Sequence, residues 1–230
     1  MRVRWPWLVV VSFLAVSTIS GCGPTAAELH AQEQARIQAE QARLARLAAI
    51  KAENDARLQR VHDAEKSGDA AAASGKKQEA LGAYKRSLQE VEADGADDYR
   101  IREKVIRLVA TFPVEPEVPD EAMRHAVRGR TMFKNAAAGD YKAAVGEFRQ
   151  AVKLAPWWSS GYNALAAAQE ADRQYAGAIH SLKLYLSTKP ANVDVKALMQ
   201  KIYELEVALE DHNRIQALTG QWKDQHGNHF

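Results

Sequence analysis

The stretch YKAAVGEFRQAVKLAPWWSSGYNALAAAQEADRQYAGAIHSLKLYLSTKP, residues 141–190, decides the fold. Tyr141, Ala144 and Pro156 return as Tyr175, Ala178 and Pro190, each 34 residues on, and apolar Phe148 returns as apolar Leu182. Alanine stands one helical turn before a large apolar residue, and a proline closes the unit. A fixed period of this kind marks a supersecondary unit that cannot bury its apolar face alone and must stack on its neighbours.

The pattern resembles the tetratricopeptide repeat. The resemblance implies an all-α fold: a short α-solenoid of helical hairpins, closed by a C-terminal capping helix and preceded by a long tether helix. It also implies binding of other proteins rather than catalysis. Residues 125–158 and 159–192 are the two clear repeats. The second carries Tyr162, Leu165 and Ala166 where the family places an aromatic, a leucine and a small residue. The first has Arg128 in place of Tyr162 and Met132 in place of Ala166, so its first helix is expected to pack irregularly. Gly139-Asp140-Tyr141 is read as the first inter-helix turn, and Arg173-Gln174-Tyr175 makes the second without glycine. Ala144, Ala166 and Ala178 belong where helices approach too closely for a larger side chain.

Residues 61–112 read as a degenerate hairpin plus an extra helix. Gly75, Ala80, Tyr84 and Leu88 repeat the internal spacing of Gly139, Ala144, Phe148 and Val152. Ile101, Val105, Ile106, Leu108 and Val109 form one broad apolar face. Residues 113–124 are a linker, with Pro113, Pro116 and Pro119 removing amide donors, before Asp120 caps a new helix. Residues 193–211 read as a capping helix with Ala197, Leu198, Ile202, Leu205 and Leu209 inward. Residues 212–230 are a tail, either frayed with Trp222 resting on the last helix or the start of an unfinished β-hairpin.

The N-terminus sets the compartment. Arg2 and Arg4 precede a mostly apolar run, Trp5 to Ile19, too short for a comfortable membrane span. The run ends in Ile19-Ser20-Gly21-Cys22, which resembles the lipobox of bacterial lipoproteins. An ordinary signal peptide that happens to contain a cysteine is the alternative. The resemblance makes residues 1–21 a signal peptide and Cys22 the acylated first residue of the mature chain. Each buried methylene contributes roughly 0.8 kcal/mol, so more than one acyl chain makes a durable membrane anchor. Gly23, in a position where aspartate favours inner-membrane retention, leans toward the periplasmic face of an outer membrane. Residues 22–60 are rich in Ala, Gln, Glu and Arg, strong helix formers. They read as a solvated helical spacer ~57 Å long or, through Ile37, Leu44, Leu47, Leu58 and Val61, as a self-associating coil over residues 23–65.

Other chemistry finds little support. The 31 basic and 29 acidic residues leave no net field for nucleic acid, least of all once Arg2 and Arg4 are removed. Cys22 is the sole cysteine, so no internal disulfide forms. Ser74-Gly75-Lys76-Lys77 lacks the first glycine and the Ser/Thr of a phosphate loop. His226 and His229 lack companion ligands at metal spacing. No cofactor, metal or catalytic residue is expected.

Recognition is then expected in the groove that the first helix of each hairpin lines in this family. The resemblance places Asn163, Ala167 and Glu170 there from the second repeat, and Gly129, Phe133 and Ala136 from the first. Phe133 reads equally well as core. Of the adjacent Trp157 and Trp158, one is expected between the repeats and the other is a possible interface aromatic. The expected role is a lipid-anchored adaptor for an envelope protein or an extended peptide. It is similar to the tetratricopeptide lipoproteins that help assemble pilus secretins and outer-membrane proteins or regulate peptidoglycan synthases. A ligand-binding lipoprotein acting through its tail and a self-associating spacer are the alternatives.

Overall fold

The computed structural model describes residues 25–136 and 140–226, with side chains described as far as Thr219. These residues form α1 (Ala26–Ala73), α2 (Lys77–Glu90), α3 (Ala96–Val109), α4 (Asp120–Asn135), α5 (Lys142–Leu154), α6 (Ser159–Ala171), α7 (Tyr175–Ser187) and α8 (Val195–His226). The fold is all-α, a short tetratricopeptide-like α-solenoid. The lipobox, Cys22 and Gly139 lie outside the described residues.

The chain divides into two compact units, Met1–Ala52 and Glu53–Phe230. In the first, the described residues are helical from Ala26 and all exposed. Leu29, Ile37, Leu44, Leu47 and Ile50 are each about half exposed. Arg36–Glu33 and Arg43–Glu40 are ion pairs one turn apart, worth little in water. Helix propensity, not burial, sustains this stretch.

In the second unit, the last turns of α1 pair with α2. Gly68 permits it: a Cβ there would sit 2.5 Å from the Tyr84 ring. The Tyr84 hydroxyl donates to Asp69 at 2.7 Å, and Ser87 Oγ donates to the Val61 carbonyl at 3.0 Å. Ala80, Tyr84 and Leu88 are all buried, at the positions that match Ala144, Phe148 and Val152. Gly75 takes φ 74°, which ends α1 and turns the chain into α2.

The repeats are the hairpins α4/α5 and α6/α7. Ala144 and Ala178 are 1% and 0% exposed, so neither site has room for a larger residue. In the second turn Arg173 adopts φ 60°, the conformation a glycine would supply, and the Gln174 amide donates back to the Gln169 carbonyl at 2.8 Å.

Four details depart from the sequence reading. α4 starts at Asp120, inside the expected linker, and its N-cap is Pro119 rather than Asp120. The inward stripe of α4 is Ala122, Ala126 and Gly129, with Phe133 half-buried, so Arg128 and Met132 face solvent. α4 ends at Asn135 and α5 begins at Lys142, against Ala171 and Tyr175 in the second hairpin, so the 34-residue alignment does not carry over to α4. At the C-terminal end Ala197 is exposed, and α8 continues through the expected tail to His226, with Trp222 inside the helix itself.

The N-terminal helices do not simply extend the stack. α2 packs against α5 and α3 against α7, so both lie on the second helices of the repeats. Arg102 of α3 donates to the Val152 carbonyl at the end of α5, 2.8 Å away, and its Nε donates to Asp98 at 2.8 Å. Tyr99 stacks on His180 of α7, with ring centres 4.0 Å apart.

Candidate functional site

A hairpin array has two faces, and the chain treats them differently. The face of α5 and α7 is covered from within. Asp94, in the turn before α3, takes φ 62° and aims its carboxylate at the repeats. There it pairs with Arg149 of α5 and accepts from Gln169 Nε2 of α6 at 3.3 Å. Gln169 is fully buried, and its Oε1 accepts from Ser181 Oγ of α7 at 2.6 Å. Arg149 also donates to Gln174 at 2.6 Å. Arg149 Nε is buried without a hydrogen-bond partner, while the other bonds of the network tie α5, α6 and α7 to the turn before α3 and fix one docking geometry.

The face of α4 and α6 is bare. These two first helices pack side by side. Asn163 and Ala167 of α6 are exposed, one turn apart. Glu170 is half-buried and ion-paired with Lys201 of α8. On α4, Met123 and Val127 are 43% and 53% exposed, also one turn apart. With Asp120, Arg124 and Arg128 they line a surface depression of about 470 Å³. Arg124 makes no ion pair among the described residues, whereas Arg128 donates to Glu147 of α5 at 2.9 Å.

Glu147 locks α4 to α5. It also contacts His125 Nδ1 at 2.8 Å. Burial pushes the Glu147 carboxyl up, but the hydrogen bonds from Arg128 and His125 outweigh it and hold the group below the usual carboxylate range.

The expected groove residues therefore separate. Asn163 and Ala167 stand on the open face, and Glu170 stands at its edge with its charge already answered. Gly129 is buried, and a Cβ there would meet the Phe148 ring at 3.0 Å. Phe133 is half-buried against Tyr141, with centroids 5.1 Å apart. Ala136 is half-buried at the end of α4. Met123, Arg124 and Val127 take the place expected of Gly129 and Phe133. The signal for them was present: Ala122, Ala126, Gly129 and Phe133 recur at i, i+4, i+7 and i+11, which turns 123 and 127 outward.

The two tryptophans go to different places. Trp157 is 5% exposed and packs with α2 and α3, with Lys85 Nζ 5.5 Å from its ring centre. Trp158 is half-buried, touching that cluster and the core between α5 and α6, over Gly161. Neither lies open as a free interface aromatic.

Among the described residues no helix is long and apolar enough to cross a membrane. No protein-family model matches this sequence. No curated protein matches it either. Among solved structures, the chain is similar to the crystal structure of MamA protein, at 16% identity and a TM-score of 0.34, over 74% of this chain and 96% of that one.

Proposed function

We propose that this chain is a lipid-anchored adaptor of the bacterial envelope that holds a protein partner on the face of α4 and α6. One observation carries the reading. The second-helix face is occupied by α2 and α3 of the same chain, while the first-helix face presents Met123, Val127, Asn163 and Ala167 to solvent. Methionine suits such a surface, because its flexible, polarizable chain adapts to varied partners. Arg124, which makes no ion pair among the described residues, stands beside that apolar pair, with Asp120 at the edge of the same depression, so the surface offers a partner an apolar contact flanked by both charges. The reading assigns no chemistry to the chain. Anchoring rests on Ile19-Ser20-Gly21-Cys22, with the periplasmic face of an outer membrane favoured. An outer-membrane assembly factor and a regulator of peptidoglycan synthesis fit it equally.

The test uses photo-crosslinkers at Val127 and Ala167 in cells, with Lys183 of α7 as control. Lys183 pairs with Glu206 at 3.2 Å, away from the open face. Crosslinks from the first two positions and none from the control are expected. Val127→Arg with Ala167→Arg should then lose the crosslinked partner without a change in melting temperature, since both sites are exposed. A partner retained by that double variant would sink the assignment.

A further inference from the structure

We propose that the cleft between the C-terminal ends of α3 and α7 binds a free apolar amino acid of about the size of leucine. This goes beyond the adaptor reading and does not rest on it. The cleft measures about 240 Å³. Its walls are the end of α3, the proline-rich stretch that follows and the end of α7, with Trp157 between them. Ile106, Val109 and Trp157 are 4%, 6% and 5% exposed and form its apolar part. Each wall is tied down separately. The Trp157 indole donates to the Pro116 carbonyl at 2.9 Å. The Phe112 amide closes α3 on the Val109 carbonyl at 2.9 Å, and Thr188 Oγ1 closes α7 on the Tyr185 carbonyl at 2.6 Å. A site held in this way loses little freedom when a ligand enters.

The rim selects the ligand. Glu115 and Lys189 both line the cleft, and both are exposed. Neither joins an ion pair among the described residues, with the other or with anything else, whereas Lys183 on the same helix end is paired with Glu206. A lone cation entering the cleft would meet Lys189, and a lone anion would meet Glu115. A ligand with one charge of each sign on a hydrocarbon body satisfies both rim groups and the apolar wall together. α3 and α7 are capped by Ala110 and Thr188. Both caps line the cleft, so the partial negative charge of two helix C-termini adds to the hold on an ammonium group. Lys189 takes φ 51°, a conformation glycine adopts freely just after a helix, yet the chain keeps an ammonium there. The volume equals that of about eight waters at ~30 Å³ each, which suits a single amino acid. Within a peptide one or both of its charges would be lost to amide bonds, so the free molecule fits best.

Isothermal titration of the purified chain tests this with leucine, isoamylamine, isocaproate and glycine. The last three lack the carboxylate, the amine and the side chain in turn. Leucine should bind, and each of the others should bind at least about tenfold more weakly. Glu115→Gln should weaken leucine about tenfold and leave isocaproate no weaker. Lys189→Gln should weaken leucine similarly and leave isoamylamine no weaker. Both residues are exposed, so the thermal transition of each variant should match the parent. The proposal falls if leucine gives no binding at millimolar concentration. It falls equally if isoamylamine or isocaproate matches leucine, which would leave a site for one charge only, or if leucine binds both variants as it binds the parent.

Discussion

The indole nitrogen of Trp157 donates a hydrogen bond to the carbonyl of Pro116, 2.9 Å away. The bond pins the proline-rich stretch before α4 to the turn between the two repeats. Trp157→Ala should destabilise the fold by about 3–5 kcal/mol, the range for a large aromatic removed from a packed site. Trp157→Phe should cost far less, about 1 kcal/mol for the hydrogen bond. Thermal melts of both variants check this. A Trp157→Ala chain that melts like the parent but loses its partner would return Trp157 to the binding surface.

Gly68 should not tolerate alanine. Tyr84 cannot swing clear of a new methyl group, because its ring is buried and its hydroxyl is tied to Asp69. Gly68→Ala should cost about 1–3 kcal/mol, as overpacked sites do. Adding Tyr84→Leu should recover part of the loss by making room. Absence of recovery in that double variant, measured in urea, would mean that the two residues are not in contact.

Asp94→Ala should loosen the N-terminal helices from the repeats. It strands Arg149 and Gln169 in a partly buried site, an effect of about 1–3 kcal/mol. Asp94→Asn separates the charge from the backbone, since asparagine also tolerates positive φ. Hydrogen exchange should quicken first in α2 and α3. Uniform protection across the chain would contradict the network's role.

Acid should weaken the fold in a defined window. The Glu147 and Asp69 carboxyls are held below their ordinary values: burial opposes the shift in both, and it is outweighed by Arg128 and His125 for Glu147 and by Lys104 and Tyr84 for Asp69. A depressed carboxyl contributes stability above its unfolded-state pKa of about 4 and loses it as pH falls through the folded value. Melting temperature should therefore drop below that point. Glu147→Gln should melt lower at neutral pH and show a shallower acid slope. An identical slope in the variant would remove Glu147 from the explanation.

Anchoring should depend on one thiol. Cys22→Ala should abolish acyl labelling in cells and leave the precursor unprocessed. Normal labelling of that variant would end the lipoprotein reading.

The repeat hairpins were legible because their constraints are local. Ala144, Ala178, Phe148 and Leu182 recur at one period, and a helix–helix crossing leaves each of those sites little latitude. The face of α4 was legible only from its own stripe of Ala122, Ala126, Gly129 and Phe133, which the 34-residue alignment overrode. Arg124, Met123 and Val127 were therefore overlooked while Gly129 and Phe133 were named. The placement of α3 was beyond the pattern altogether. Its apolar face was plain, but Asp94 meeting Arg149 and Arg102 meeting Val152 join residues that no periodicity links. The tail was misread for a simpler reason. A frayed tail or an unfinished hairpin was expected there, yet α8 runs on through Gly220 to His226, at the roughly 1 kcal/mol cost a helix bears for one glycine.

The crossing of α3 over the second helices also governs how the molecule comes apart. A linear array unfolds piecewise, each unit touching only its neighbours, with little penalty for losing an end. Here a segment near residue 100 clasps segments near 150 and 180, so loss of α3 uncovers the second helices of both repeats together. Loops of that span must close before the clasp forms, which slows folding relative to a stack built from neighbours alone. The reward is closer coupling of the helices from α2 to α7 in a chain whose sole cysteine leaves it no internal disulfide.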